Sequence, residues 1–186
     1  MDVKAKLELL RGMLPNIPAR ESLPSSFLPS GIPKSALTEI SGSEGGGKTE
    51  FILSLLSENL NLRVAWIEKE LTAYPWAFLQ CGIELHRVLF VESGAQALWC
   101  ALQVLRSQLF DVVVVNAFID SEKQLRRLQL ESEKVRASVL FLSQEPRRKQ
   151  MWPLALQLSV SRQGTGLKIE TLKSHHLSEG AKSWAL

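Results

Sequence analysis

A glycine-rich stretch of the chain reads Gly42-Ser43-Glu44-Gly45-Gly46-Gly47-Lys48-Thr49 and fits the pattern G-x-x-x-x-G-K-[ST] at every fixed position. The glycines let the backbone turn, so that successive N–H groups point at phosphate oxygens, and a following helix adds a favourable dipole. In this pattern Lys48 reaches the β and γ phosphates, and Thr49 holds Mg²⁺. The stretch, with Glu50 beside it, predicts a site for ATP and Mg²⁺. The alternative is a flexible glycine turn that happens to precede Lys-Thr.

The glycine-rich stretch lies between a predicted strand, Ala36–Ser41, and a predicted helix, Lys48–Asn59. Strands and helices then alternate along the chain: Val64–Ile67, Pro75–Cys81, Val88–Val91, Ala95–Gln108, Val112–Val115, Ser121–Arg136 and Ser138–Ser143. Leu154–Ser161 and Gly166–Leu172 are predicted to form a closing antiparallel pair. This alternation is typical of a mainly parallel sheet flanked by helices, so the sequence predicts an α/β fold with a C-terminal antiparallel extension.

The chain has 186 residues, which is enough for one α/β domain with tails. We assign residues 1–34 to an N-terminal helix (Val3–Met13) and a proline-rich arm, residues 35–173 to the ATP-binding core, and residues 174–186 to a flexible tail. The net charge of +3 does not by itself indicate a nucleic-acid partner. No apolar run approaches the roughly 20 residues of a membrane span, and Cys81 and Cys100 lack metal-site spacing, so we expect a cytoplasmic protein without a membrane partner.

Three residues near the ends of predicted strands are candidates for chemistry on the nucleotide. Hydrolysis needs an acidic residue for the metal, yet the strand Val112–Val115 is followed by Asn116, which can bind a metal-bound water but carries no charge. Glu70 follows the second buried strand and could orient the attacking water; the alternative is a surface glutamate paired with Lys69. Gln144 could sense the γ phosphate, or be an ordinary loop glutamine.

Two basic groups are candidates for contacts with DNA or a protein partner. Arg126 and Arg127 lie on the predicted helix Ser121–Arg136, and a loop further on carries Arg147, Arg148 and Lys149, followed by Trp152. Positive charge beside an aromatic ring is typical of single-stranded DNA binders. The alternative in both cases is a solvated charged surface. Trp66, Trp76 and Trp99 fall inside predicted elements and are interpreted as core aromatics.

Roughly from residue 31 to residue 173, the chain resembles the RecA recombinase core. The resemblance rests on Gly31–Ile40 before the glycine-rich stretch, on Trp66-Ile67-Glu68-Lys69-Glu70, and on Phe141-Leu142-Ser143-Gln144. It implies that Glu70 is the catalytic base and that Gln144 couples ATP to DNA binding. Asn116 replaces the family's strand-terminal aspartate, the first DNA-binding loop is missing, and only Glu145–Met151 remains of the second. The resemblance therefore does not extend to strand exchange.

Within this superfamily the chain is similar to ImuA, the RecA-related accessory family of bacterial mutagenic translesion synthesis. Three short stretches of sequence carry this resemblance. They are Ala73-Tyr74-Pro75 with Leu79 and Gly82, Ala97-Leu98-Trp99 with Leu105-Arg106-Ser107, and Arg126-Arg127-Leu128-Gln129-Leu130 followed by Glu133. The intact glycine-rich stretch, Gly42–Thr49, which we call the phosphate loop, argues against the related cell-division inhibitor SulA. The resemblance implies a role in the SOS response with an ImuB-like polymerase adaptor and an error-prone polymerase, and contacts with RecA.

Three functions stay open at this point. The first is an ATP-binding, RecA-like accessory protein of translesion DNA synthesis and DNA repair, which acts through protein partners. The second is a DNA-dependent ATPase that uses Glu70, Lys48 and Thr49. The third is a non-catalytic interaction scaffold that has kept the loop. We expect nucleotide binding with slow or no hydrolysis.

Overall fold

The structure, a computed structural model, describes residues 21–117, 119, 121–146 and 153–174. Its strands are β1 (Ser22–Ser25), β2 (Leu28–Pro33), β3 (Leu37–Ser41), β4 (Val64–Glu68), β5 (Val88–Glu92), β6 (Val112–Asn116), β7 (Ser138–Ser143), β8 (Leu156–Gln163) and β9 (Gly166–Ser174). Its helices are α1 (Lys48–Ser57), α2 (Pro75–Gln80), α3 (Ala97–Ser107) and α4 (Glu122–Val135), with a 3-10 turn at Leu85–Arg87. The predicted α/β alternation is confirmed.

A seven-stranded sheet in the order β5-β4-β6-β7-β3-β8-β9 forms the centre of the fold. Every neighbouring pair is parallel except β8 and β9, which form the predicted antiparallel pair at the end of the chain. The four valines of β6 are buried because helices cover both faces of the sheet. The carboxyl ends of the parallel strands therefore meet at one edge, where ligands bind in open α/β sheets.

The sheet separates two apolar layers. On one face α1 and α2 pack through Phe51, Leu55 and Phe78 against Ile40 and Trp66. On the other face α3 and α4 contribute a second layer, formed with Leu102, Leu105, Leu125 and Leu128. The amphipathic pattern of α4 accounts for its placement, since its buried positions lie three to four residues apart.

The proline-rich arm contains a hairpin that the sequence did not predict. Strands β1 and β2 pair antiparallel, and Leu23, Leu28 and Ile32 are buried in the layer that holds α1. Phe27 packs against Phe51 with ring centroids 5.8 Å apart. A two-stranded ribbon tolerates prolines because each strand has an unpaired edge. The predicted helix Val3–Met13 and the tail beyond residue 174 lie outside the described residues.

One expectation about aromatic residues is wrong. Trp66 is fully buried and meets Phe78 edge to face at 5.3 Å, as a core aromatic should. Trp76 and Trp99, in contrast, are 56% and 59% exposed. Both lie inside helices as expected, but on the outward faces of α2 and α3, because the apolar positions beside them fill the core. None of the described helices is long and apolar enough to span a membrane.

Candidate functional site

The phosphate loop connects β3 to α1 at the carboxyl edge of the sheet, and two of its glycines, Gly42 and Gly47, pack closely against the terminal strands. A Cβ on Gly42 would lie 2.2 Å from the carbonyl oxygen of Val160. Gly47 has a φ of 95°, and a Cβ there would lie 2.2 Å from a methyl carbon of Leu167. A side chain at Gly42 would collide with the backbone of β8, and one at Gly47 would have to displace a Leu167 methyl group of β9 and would be strained by the positive φ. The phosphate loop is thus held by the hairpin of β8 and β9, which we call the terminal hairpin.

Lys48 is the first residue of α1, and its ammonium group turns back into the loop. It donates hydrogen bonds to the carbonyl oxygens of Gly42 and Ser43. Partial burial lowers the pKa of Lys48, and the nearby Glu44 carboxylate opposes that shift. A desolvated cation that meets only carbonyl dipoles and one carboxylate gains from a neighbouring anion. The geometry therefore suits a phosphate group beside Lys48.

A cavity of about 1020 Å³ opens above the phosphate loop. It is lined by the phosphate loop, the first turn of α1, and residues at or after the ends of four strands: Ser43, Glu44, Gly45, Gly46, Gly47, Lys48, Thr49, Glu50, Thr72, Asn116, Ala117, Leu142, Ser143, Gln144, Glu145 and Arg162. The structure thus brings together the predicted loop residues with Asn116 and Gln144. A cavity of this size is large enough for a nucleotide.

Asn116 ends β6 and lies in register with Glu68, the last residue of β4. Its side-chain Nδ2 donates to Glu68 Oε1 at 2.9 Å. The other oxygen, Oε2, accepts the backbone N–H groups of Thr72 and Ala73, at 2.6 and 2.8 Å. Because Glu68 takes the amide donor, Asn116 keeps its amide oxygen available as an acceptor.

Glu68 is a buried carboxylate that sequence reasoning did not select. Burial alone raises the pKa of Glu68, but hydrogen bonds from Asn116, Thr72 and Ala73 outweigh it, and the resulting pKa lies below the usual value. The Trp66 indole acts in the same direction, although its N–H does not reach hydrogen-bond geometry. Glu68 is therefore an ionised carboxylate directly behind Asn116. The sequence feature that could have indicated Glu68 is a glutamate at the end of a buried strand.

Glu70, the candidate base, lies apart from the cavity lining. Its side chain is 80% exposed, and its carboxylate lies 3.5 Å from the Lys69 ammonium. This arrangement is that of the alternative interpretation, a surface glutamate paired with Lys69. A catalytic role for Glu70 stays a prediction that the geometry does not support.

Gln144 and Thr49 both border the cavity. The amide Nε2 of Gln144 donates to Glu44 Oε1 at 2.7 Å, which joins the end of β7 to the phosphate loop. Thr49 is exposed in the first turn of α1 and lines the cavity, at the position that holds a magnesium ligand in this motif. The Gln144 contact provides a physical connection between the loop and the segment that follows β7.

A second residue that the sequence did not indicate is Arg162, near the end of β8. Its guanidinium donates to the carboxylate of Glu50, in the first turn of α1, and both residues line the cavity. The available signal was a charged residue at the carboxyl end of a strand. That signal is weak, because the sequence predicts this strand over Leu154–Ser161, two residues before its observed position.

The predicted partner contacts lie away from the cavity or outside the described residues. Arg126 and Arg127 are on α4, where Arg126 donates to Gln129 and Arg127 is exposed. Arg147, Arg148, Lys149 and Trp152 fall outside the described part of the chain. Their roles stay predictions.

The residues present fit ATP with Mg²⁺. The phosphate loop supplies N–H groups and an ammonium for phosphate, and the Thr49 hydroxyl and Asn116 amide oxygen are the hard oxygen ligands, or water-binding groups, that Mg²⁺ prefers. Within residues 21–117, 119, 121–146 and 153–174, no group of three or more His, Cys, Asp or Glu side chains forms another metal site.

No protein-family model matches the chain, and no curated protein matches it. Among solved structures, the fold is similar to one titled "Crystal structure of the RadB recombinase", with a TM-score of 0.66. That match covers 83% of this chain and 88% of that chain, at 15% sequence identity. Likeness at this identity is evidence of fold alone. The chain therefore shares its fold with that recombinase structure.

Proposed function

We propose that this protein binds ATP with Mg²⁺ at the phosphate loop, and that the bound state stabilises a conformation recognised by protein partners. The observation that carries the proposal is the complete phosphate loop at the carboxyl edge of a parallel sheet, with Lys48 turned into it. The backbone N–H groups and Lys48 hold the phosphates, while Thr49 and Asn116 hold the metal. Bound Mg²⁺ supplies charge neutralisation for the phosphates.

Slow or absent hydrolysis is part of the proposal. Hydrolysis requires a carboxylate that can orient water and an acid that anchors the metal. Asn116 brings no charge, and both oxygens of Glu68 already accept hydrogen bonds. Glu70 is exposed and paired with Lys69. The site therefore favours binding over turnover.

The finer role that we propose is that of an accessory protein in SOS-linked translesion synthesis and DNA repair. Its partners would be an ImuB-like polymerase adaptor and an error-prone polymerase, with RecA and single-stranded DNA as further candidates. Support comes from the resemblance strings on α3 and α4. These helices present Trp99, Arg127 and Leu130 at the surface, where a partner could contact them.

ATP turnover with and without single-stranded DNA tests the functional class. We expect Mg-ATP to bind while turnover stays negligible under both conditions. DNA-stimulated hydrolysis that Lys48→Ala and Glu70→Gln both abolish would contradict this expectation and support a DNA-dependent ATPase. If the chain binds no nucleotide, the remaining interpretation is that of a non-catalytic interaction scaffold.

A pull-down with purified ImuB-like adaptor tests the partner proposal. We expect capture by the native chain in Mg-ATP, and weaker capture by Trp99→Ala because that exposed aromatic would lose its contact. A truncation of Ser174–Leu186 examines the contribution of the tail. Equal capture of the native chain with and without nucleotide would contradict a nucleotide-dependent partner conformation.

A further inference from the structure

The charges around the cavity pose an electrostatic problem for a polyphosphate ligand. Among the described residues that line it, Glu44, Glu50 and Glu145 carry negative charge, whereas Lys48 and Arg162 carry positive charge. A triphosphate entering this space meets carboxylates as well as cations. Since the interaction of two unit charges a few ångströms apart is substantial near a protein surface, the placement of each pair matters.

Glu50 is the carboxylate in the most sensitive position. It follows Thr49 directly and lies in the first turn of α1. The N-terminus of a helix attracts anions through its unpaired N–H groups and its dipole. A free glutamate side chain there would compete with a phosphate for the same field, and would repel it.

Arg162 is held where it can cancel this charge. It pairs with Glu50, and both side chains are about half exposed, at 47% and 51%. Strand β8, which carries Arg162, also brings Val160 against Gly42, and β9 brings Leu167 against Gly47. The hairpin is therefore fixed at both ends of the phosphate loop, and the guanidinium is positioned by a structure that contacts the loop directly.

We propose that Arg162 is a positioning residue of the nucleotide site: it acts through Glu50, drawing that carboxylate into an ion pair so that the N-terminus of α1 accepts phosphate. The proposal rests on the proposed function, because it concerns the same nucleotide. It assigns to the terminal hairpin an electrostatic role in addition to its packing role.

Binding of a fluorescent ATP analogue with Mg²⁺ to the full chain tests the pair. We expect Arg162→Gln to weaken binding about five- to tenfold, the scale of one unfavourable charge contact in a partly exposed site. Glu50→Gln should bind at least as tightly as the native chain. The double variant should return to within about twofold of Glu50→Gln, because the charge that needs cancelling is gone.

Two further variants separate charge from structure. Arg162→Lys keeps the charge, so we expect a loss of no more than about threefold. Arg106→Gln removes another arginine of similar exposure, which lies 3.8 Å from the less exposed Glu131 across α3 and α4, and this variant should bind like the native chain. The Arg162→Gln defect should also shrink at high salt, since salt screens the exposed Glu50 charge. Thermal unfolding without nucleotide verifies that each variant is folded.

The proposal is overturned if Arg162→Gln binds as tightly as the native chain. It is also overturned if the loss is as large in the Glu50→Gln background, because Arg162 would then not act through Glu50. Failure of the native chain to bind the analogue would remove the proposed function itself, and this inference with it. That result is distinguishable, since it appears before any variant is compared.

Discussion

At the scale of single residues, the decisive feature is that β6 ends in an amide rather than an acid. Asn116 donates to Glu68, which is buried and ionised, and so the negative charge near the metal position lies one side chain behind the cavity. From that position the Glu68 carboxylate orients Asn116 but does not coordinate a metal ion directly. Under the proposed function, this pair is the reason to expect weak binding of Mg²⁺.

Asn116→Asp tests this pair. The substitution places a second carboxylate beside Glu68 and replaces a donor with an acceptor, so we expect a loss of about 1–3 kcal/mol in unfolding free energy at neutral pH. The loss should shrink in acid, where one carboxyl group takes up a proton and can donate. Urea unfolding at both pH values measures it. Asn116→Ala, which removes the amide without adding charge, should lose less; an equal loss at all pH values would contradict the charge account.

The substitution Glu68→Gln tests how the stability of the folded chain depends on pH. Because the folded pKa of Glu68 is lowered, its ionised form stabilises the fold above the unfolded value of about 4.5, and that contribution is lost as the pH falls through the folded pKa. The variant should therefore lose stability mainly above pH 4.5 and approach the native chain in stronger acid. Glu70→Gln, at an exposed position, is the matched control and should change little. Parallel pH profiles for native chain and Glu68→Gln would contradict the assignment.

At the scale of elements, most strand and helix positions could be predicted from the sequence, because the buried strands are short apolar runs separated by amphipathic helices. The β1–β2 hairpin could not, since its prolines indicate irregular chain unless one knows that both strands lie at free edges. Of the residues that line the cavity, the sequence indicates those that a motif or a strand end specifies. Glu68 and Arg162 were missed because each depends on a partner 48 or more positions distant in sequence, Asn116 for one and Glu50 for the other.

The contact between the terminal hairpin and the phosphate loop leads to a comparison of two glycines. A Cβ at Gly42 would collide with the Val160 carbonyl, whereas a Cβ at Gly45 meets nothing within 4 Å. We expect Gly42→Ala to lose at least about 2 kcal/mol and Gly45→Ala, where φ is positive, about 1 kcal/mol. Denaturant unfolding of both variants measures this difference. Equal losses would show that β8 does not constrain the loop.

At the scale of the whole molecule, the sheet buries Trp66, whereas Trp76 and Trp99, the other tryptophans in the described part of the chain, lie at the surface. Trp66→Ala should cost about 3–5 kcal/mol, because it opens a cavity beside Phe78 in a filled apolar layer. Trp99→Ala should stay within about 1 kcal/mol, because that ring is mostly exposed. Chemical denaturation of the two variants measures both losses in unfolding free energy. A large loss for Trp99→Ala would place it in the core and weaken its assignment to a partner surface.

The whole molecule combines a complete phosphate loop with an uncharged strand end and an exposed candidate base. We propose that such a combination holds a nucleotide and transmits its presence through the Gln144–Glu44 hydrogen bond and the β8–β9 hairpin. Both contacts lie at the loop itself. For this reason the proposed function is that of a nucleotide-dependent interaction protein rather than that of a motor.

Titration calorimetry of the native chain with Mg-ATP, beside Lys48→Ala, tests the central claim most directly. Among the described residues, Lys48 is the one whose ammonium group points into the phosphate loop. We predict saturable binding of one nucleotide per chain by the native protein, weakened at least about tenfold by Lys48→Ala, a difference of about 1.4 kcal/mol. Absence of binding by the native chain, or equal binding by Lys48→Ala, would contradict a nucleotide site at the phosphate loop.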